Sequence, residues 1–179
     1  MDEMLPYKAG QEARKLYAED TLCCSEAVVA VINRMLDGGL NEAQAVALAK
    51  GFCGGIGDTG CVCGALAGAV IAQGLILGRG LEPADDKTVR RASRALRERF
   101  VNLHGSSCCN VLCKDRAPED TTKGPCPDYV ESATFLCAHL LTEPSAIGPA
   151  DEQEDARARA EEMKRRRRKR SAARLKAVS

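Results

Sequence analysis

The sequence predicts an all-α fold: a bundle of about five helices with a Gly/Cys-rich loop and a charged C-terminal tail. Three observations lead there. Apolar residues recur at helical spacing through most of the first 142 positions, and no run of any length alternates with the period of a strand. Aromatic residues are only 3% of the 179-residue chain and Trp is absent, so the core must be built from Ala, Leu, Val and Ile. Finally, many glycines permit close backbone contact between packed elements.

The elements follow in order. From Pro6 to about Asp20, Ala9, Ala13, Leu16 and Tyr17 share one helical face. A second helix begins near Thr21 or Ser25, carries Val28, Val29, Ile32, Met35 and Leu36 as its core stripe, and stops at Gly38-Gly39. Asn41 reads as the N-cap of a third helix, with Gln44 completing a capping box, and that helix ends before Gly54. After the loop GGIGDTG comes CVCGALAGAVIAQGLILG, which is apolar on nearly every side and is expected to lie centrally. Its glycines fall four apart, at Gly64/Gly68 and Gly74/Gly78, a spacing that lets a second backbone approach. That approach can come from the same chain or from a second copy, so a homodimer through this helix is one expectation.

Glu82-Pro83 opens a long polar helix with Val89, Ala92, Leu96, Phe100 and Leu103 as its apolar edge, ending at Gly105. The turn-rich stretch 106–128 is expected to be irregular. A last core helix spans about Asp128 to Leu141, and Pro144, Gly148 and Pro149 close the domain, which is placed at residues 1–148.

Residues 149–179 are expected to form a separate charged tail, as an exposed helix or a disordered segment. The net charge of +1 conceals this division: residues 151–179 carry 11 Lys/Arg against 6 Asp/Glu, while residues 1–150 carry 15 against 19. A mildly acidic body gives no electrostatic case for nucleic-acid binding. The tail's Lys164–Arg170 is an unbroken run of seven cations that weakly suggests nucleic acid or an anionic surface, without sequence-specific recognition. The N-terminus is charged from its second residue and no apolar run reaches the ~20 residues of a membrane span, so a cytoplasmic protein without a transmembrane segment is expected.

Ten cysteines in such a chain point to a metal, to thiol redox chemistry or to oxidant sensing, because structural disulfides are rare in a reducing cytosol. Residues 51–68 pose the sharpest choice. Gly55, Gly57 and Gly60 spell GxGxxG, yet the preceding segment reads as helix and not strand, so the dinucleotide reading lacks its context. Some anion could still bind at the helix start that follows. Cys61 and Cys63 are expected at the first turn of that helix, where its dipole and free amides would lower a thiol pKa. Cys23 and Cys24 precede the second helix, Cys108, Cys109 and Cys113 follow Gly105, and Cys126 lies between Pro125 and Pro127. Cys137 shares a face with Val130, Ala133 and Thr134 and reads as a buried apolar residue. Cys53 is undecided. His104 reads as a helix-end residue and His139 as a partly exposed one.

Cys24-Ser25 opening an apolar helix, Gly60-Cys61-Val62-Cys63-Gly64-Ala65-Leu66-Ala67-Gly68 after a Gly-rich loop, then Cys109 and Cys126 before a final helix, resemble the C-GCAxxG-C-C family of redox-active proteins. The resemblance covers roughly residues 10 to 142. It implies a core set of Cys24, Cys63, Cys109 and Cys126, with Gly64 and Gly68 packing closely at the site and Gly60 beside them. The chain reads CGALAG where the family has GCAxxG, so Cys61 or Cys63 can take the principal role. No CxxCH is present, so covalent haem is not expected.

Two functions follow. In the first, Cys61 or Cys63 attacks and the other, or Cys24, resolves a disulfide, with a redox partner that the sequence does not name. In the second, Cys24, Cys63, Cys109 and Cys126, with Cys113 as a substitute, bind an iron–sulfur cluster or Zn.

Overall fold

The computed structural model describes residues 2–79, 84–115 and 123–148. It is all-α. Among the described residues there are seven α-helices: α1 (Leu5–Ala18), α2 (Cys24–Met35), α3 (Glu42–Ala49), α4 (Gly64–Leu77), α5 (Asp86–His104), α6 (Cys109–Leu112) and α7 (Cys126–Thr142). A 3-10 turn at Lys50–Phe52 extends α3, and another at Pro144–Ile147 follows α7. The tail and the Glu82-Pro83 helix start lie outside the described residues.

Local chemistry sets most of the boundaries. Pro6 stands in the first turn of α1, where a missing N–H costs nothing. At α3 the capping box is as expected: the Gln44 amide donates to Asn41 Oδ1 at 2.9 Å, and the Asn41 amide to Gln44 Oε1 at 3.1 Å. Asp85 caps α5 by accepting from the amides of Lys87 and Thr88, and Gly105 ends it in the left-handed conformation at φ +81°.

Two helices form the centre rather than one. On α2 every residue from Ser25 to Asn33 is buried, wider than the stripe the periodicity predicts, and on α4 Gly64 to Ala69 are buried as well. Helix α4 packs on α2, α5 and α7, and α1 lies along α7. The glycines Gly64 and Gly68 serve the α2 contact within this chain: a Cβ on Gly68 would come within 2.6 Å of the Ser25 carbonyl oxygen. Gly74, by contrast, has nothing within 4 Å of where its Cβ would be. On α5, Ala92, Leu96 and Phe100 are fully buried, but Leu103, expected on the same apolar edge, is 62% exposed. No helix of the described residues is long and apolar enough to cross a membrane.

Candidate functional site: a thiol centre at four helix starts

The geometry of the Gly-rich loop decides between its two readings. Gly54, Gly55, Ile56, Gly57 and Asp58 all have positive φ, so the chain coils left-handedly and turns its amides inward. The amides of Ile56, Gly57, Asp58, Thr59, Gly60 and Cys61 donate to carbonyls of residues 51–56. Gly60 also accepts through its own carbonyl, from the Asn110 amide at 2.9 Å and the Cys108 thiol at 3.4 Å. Six saturated amides leave the loop without a phosphate cradle. Gly60, Gly64 and Gly68 act through close packing.

What the loop does instead is gather sulfur. The Gly54 amide points at the Cys24 sulfur, which also meets the Ser25 amide. Beyond the loop, residues 60–63 pair with 107–110: the Cys109 amide donates to the Cys61 carbonyl at 2.6 Å, the Cys63 amide to the Ser107 carbonyl at 2.8 Å, and Val62 bridges Cys108. That pairing carries Cys109 to the start of α6. Residues 107–110 of the stretch read as irregular are therefore ordered by contacts far away in sequence. Cys126 is the first residue of α7 rather than part of a loop, and its sulfur stands 3.5 Å from that of Cys113 at the end of α6.

Cys24, Cys63, Cys109 and Cys126 thus mark the starts of α2, α4, α6 and α7, with Cys113 beside them. Their electrostatics tie them into one neighbourhood. Burial raises the Cys24 pKa; the Gly54 and Ser25 amides oppose it, and negative charge on Cys126 or Cys109 would raise it further. Cys63 is 6% exposed and burial pushes its thiol up to about 12, against the pull of the Leu66 and Ala65 amides and with Cys24 and Cys109 adding to the rise. Those two amides approach the sulfur without the geometry of a full cap hydrogen bond. Cys113 is raised by burial, then by sharing its proton with Cys126. Tyr129, whose hydroxyl donates to the Leu112 carbonyl at 3.1 Å, is raised by burial and then by Cys113, Cys126 and Cys63.

This corrects the expectation at Cys61 and Cys63. Cys63 is the N-cap of α4, but its desolvation outweighs the helix start, so its pKa rises instead of falling. Cys61 is two residues outside the helix and exposed. Cys137 is fully buried, as expected, with its thiol donating to the Ala69 carbonyl at 3.4 Å. His104 is the last residue of α5, the helix end expected of it. His104 Nε2 and the Ser132 hydroxyl are hydrogen-bonded at 2.7 Å, and that hydroxyl also meets the Tyr129 carbonyl at 3.3 Å. Burial holds its pKa below the usual histidine value.

One feature escaped the sequence reading: Cys23 and Cys53 are disulfide-bonded, with Cα atoms 6.1 Å apart. Both lie fifteen residues from Gly38, the turn of the α2–α3 hairpin, and this symmetry was the available signal. The buried Ser25 hydroxyl lies 3.5 Å from the Cys23 sulfur and 3.4 Å from that of Cys53.

The family described as "Putative redox-active protein (C_GCAxxG_C_C)" matches residues 22–165. The chain belongs to this family. The matched residues include every thiol of the four helix starts. No curated protein and no solved structure matches the chain.

Proposed function

We propose that the protein is a thiol–disulfide redox protein in which Cys24, Cys63, Cys109, Cys113 and Cys126 act as one centre, entered through Cys126. The observation that supports this reading best is the 3.5 Å separation of the Cys113 and Cys126 sulfurs. Burial and the hydrogen bond with Cys126 keep the proton on Cys113, and the Cys126 sulfur stands at the positive end of the 17-residue α7, so Cys126 takes the attacking role and Cys113 the resolving one. Its thiolate attacks a partner disulfide, forming a mixed disulfide and releasing one partner thiolate. Cys113 then displaces the second partner sulfur, which closes Cys113–Cys126 and leaves the partner as a dithiol. Two electrons and two protons pass to the partner. Cys61 and Cys63, the pair that sequence favours for this role, are less suited to it: buried Cys63 holds its proton to about 12.

A second reading has the same sulfurs binding metal. Among the described residues, no three of the five stand within 4.8 Å of one another. Sulfurs around one tetrahedral zinc, with Zn–S bonds of about 2.3 Å, would be about 3.8 Å apart. The wider set suits an iron–sulfur cluster held by Cys24, Cys63, Cys109 and Cys126, with Cys113 as the alternative ligand; bound there it would supply one-electron transfer.

Protein purified without oxygen separates the two. The thiol reading expects a metal-free chain in which one equivalent of oxidised dithiothreitol or glutathione closes Cys113–Cys126, mapped by mass spectrometry. Stoichiometric iron and sulfide, lost in Cys63→Ser and Cys126→Ser, would replace it with the metal reading.

A further inference from the structure

Outside the five-thiol centre, one corner of the fold brings together two sulfurs and a carboxylate. The Cys23 and Cys53 sulfurs and a Glu26 carboxylate oxygen all lie within 4.8 Å of one another. We infer that this corner, once its disulfide is reduced, is a site for a thiophilic divalent cation such as Zn²⁺, with Cys23, Cys53 and Glu26 as ligands. The inference stands independently of the reading proposed for the central thiols.

Three observations carry it. First, Glu26 is only 8% exposed, and among the described residues no cation pairs with it. Its Oε2 accepts the Cys23 amide at 2.9 Å, which fixes the carboxylate beside the sulfurs and leaves Oε1 for a ligand. Second, the buried Ser25 hydroxyl donates to the Ala49 carbonyl at 2.9 Å, so its lone pairs are left for the side where both sulfurs lie. A hydroxyl so placed can complete the coordination or hold a water that does. Third, the α2–α3 hairpin places the two Cα atoms 6.1 Å apart, so both sulfurs face one small volume. Two thiolates, one carboxylate and a bound Zn²⁺ carry one net negative charge, which the positive start of α2 stabilises. Sulfur donors with one carboxylate suit zinc, whose structural and catalytic sites are built from such groups.

The chemistry balances with a dithiol as reductant. The dithiol gives two electrons and two protons to Cys23–Cys53, forming two thiols and its own disulfide. Zn²⁺ then binds both sulfurs and displaces the two thiol protons. The disulfide and the metal are thus mutually exclusive occupants of one corner.

The test uses the full chain, reduced with dithiothreitol, freed of reductant and metal, and exposed to an alkylating agent with and without Zn²⁺. Fragment-ion mapping reads each cysteine separately, so zinc taken up by the central thiols does not confuse the result. Zinc is expected to slow alkylation of both Cys23 and Cys53 at least tenfold, and chelator to restore it. Glu26→Gln, whose amide oxygen can still accept the Cys23 N–H, should raise the zinc concentration needed for protection at least tenfold. Equal alkylation of Cys23 and Cys53 with and without zinc overturns the site, even if Cys113 and Cys126 are protected. So does a disulfide that the dithiol cannot open while the protein remains folded.

Discussion

The Cys24 sulfur lies against the α-carbon of Gly64, at a place where any side chain on residue 64 would overlap it. A methyl there would also come within 2.7 Å of the Phe52 carbonyl oxygen. The glycine that follows Cys63 therefore makes room for the sulfur at the start of the neighbouring helix. Gly64→Ala should destabilise the fold by about 1–3 kcal/mol, as overpacking does, and should increase the reactivity of Cys24. Gly74→Ala is the control: it faces open space in the same helix and should gain up to ~1 kcal/mol from propensity. Urea unfolding of the two variants checks the contrast, and equal behaviour would contradict the close contact.

That contact shows why part of the site could be read from sequence. Gly64 and Gly68 have the spacing that permits a close helix approach, although Gly74, in the second pair of that spacing, faces open space, and the capping box of Asn41 and Gln44 or the stop at Gly105 needs only neighbours in the chain. Helix α6 is different. Its four residues show no periodicity, and it is positioned by the pairing of Cys109 and Asn110 with Cys61 and Gly60. The pKa of Cys63 is another such case: a helix start predicts a fall, and only the packed structure reveals the desolvation that reverses it. The Cys23–Cys53 bond depends on how the α2–α3 hairpin closes, which its glycines permit without dictating.

Cys137 should matter for stability and not for redox chemistry. Its side chain is fully buried against α4, with the thiol donating to Ala69, and burial pushes its pKa up. Cys137→Ser puts a more polar, shorter group in that place and should cost about 1–3 kcal/mol. Oxidation should still close Cys113–Cys126 in this variant. A change in which cysteines pair would move Cys137 into the centre.

Stability should fall in alkaline solution. The Cys63 thiol has an ordinary value near 9 and is held up to about 12 in the fold, so between these limits the unfolded chain loses a proton that the native one keeps. The contribution is fully present below pH 9 and disappears as pH rises toward 12, at up to about 1.4 kcal/mol per pH unit for each such group. Cys24 and Cys113 shift in the same direction. Unfolding free energies at pH 8 and pH 10 should therefore differ, and Cys63→Ala should reduce the difference. An unchanged difference would mean that the sulfur is not buried as described.

The Cys23–Cys53 bond joins residues 30 apart and ties the start of α2 to the end of the α3 hairpin arm. Restricting a loop of that length in the unfolded chain should contribute about 2–4 kcal/mol. Reduction, or Cys53→Ser, should lower the melting temperature accordingly while circular dichroism retains the helical signal. No loss of stability on reduction would show that the hairpin's packing already holds these ends together.

The order of events at the centre is open to a trapping experiment. If Cys126 attacks and Cys113 resolves, Cys113→Ser should stop the reaction at the mixed disulfide, and oxidised glutathione should leave one adduct on Cys126. Cys126→Ser should leave no stable adduct at this pair, because burial, the largest cause of the raised Cys113 pKa, remains when the Cys126 sulfur is gone. The two serine variants are thus asymmetric, although the sulfurs they remove are 3.5 Å apart. Peptide mapping after reaction reads that asymmetry directly. Adducts on Cys113 in the Cys126→Ser chain, at the rate seen for Cys126, would reverse the roles; adducts confined to exposed Cys61 would transfer the entry point to the loop.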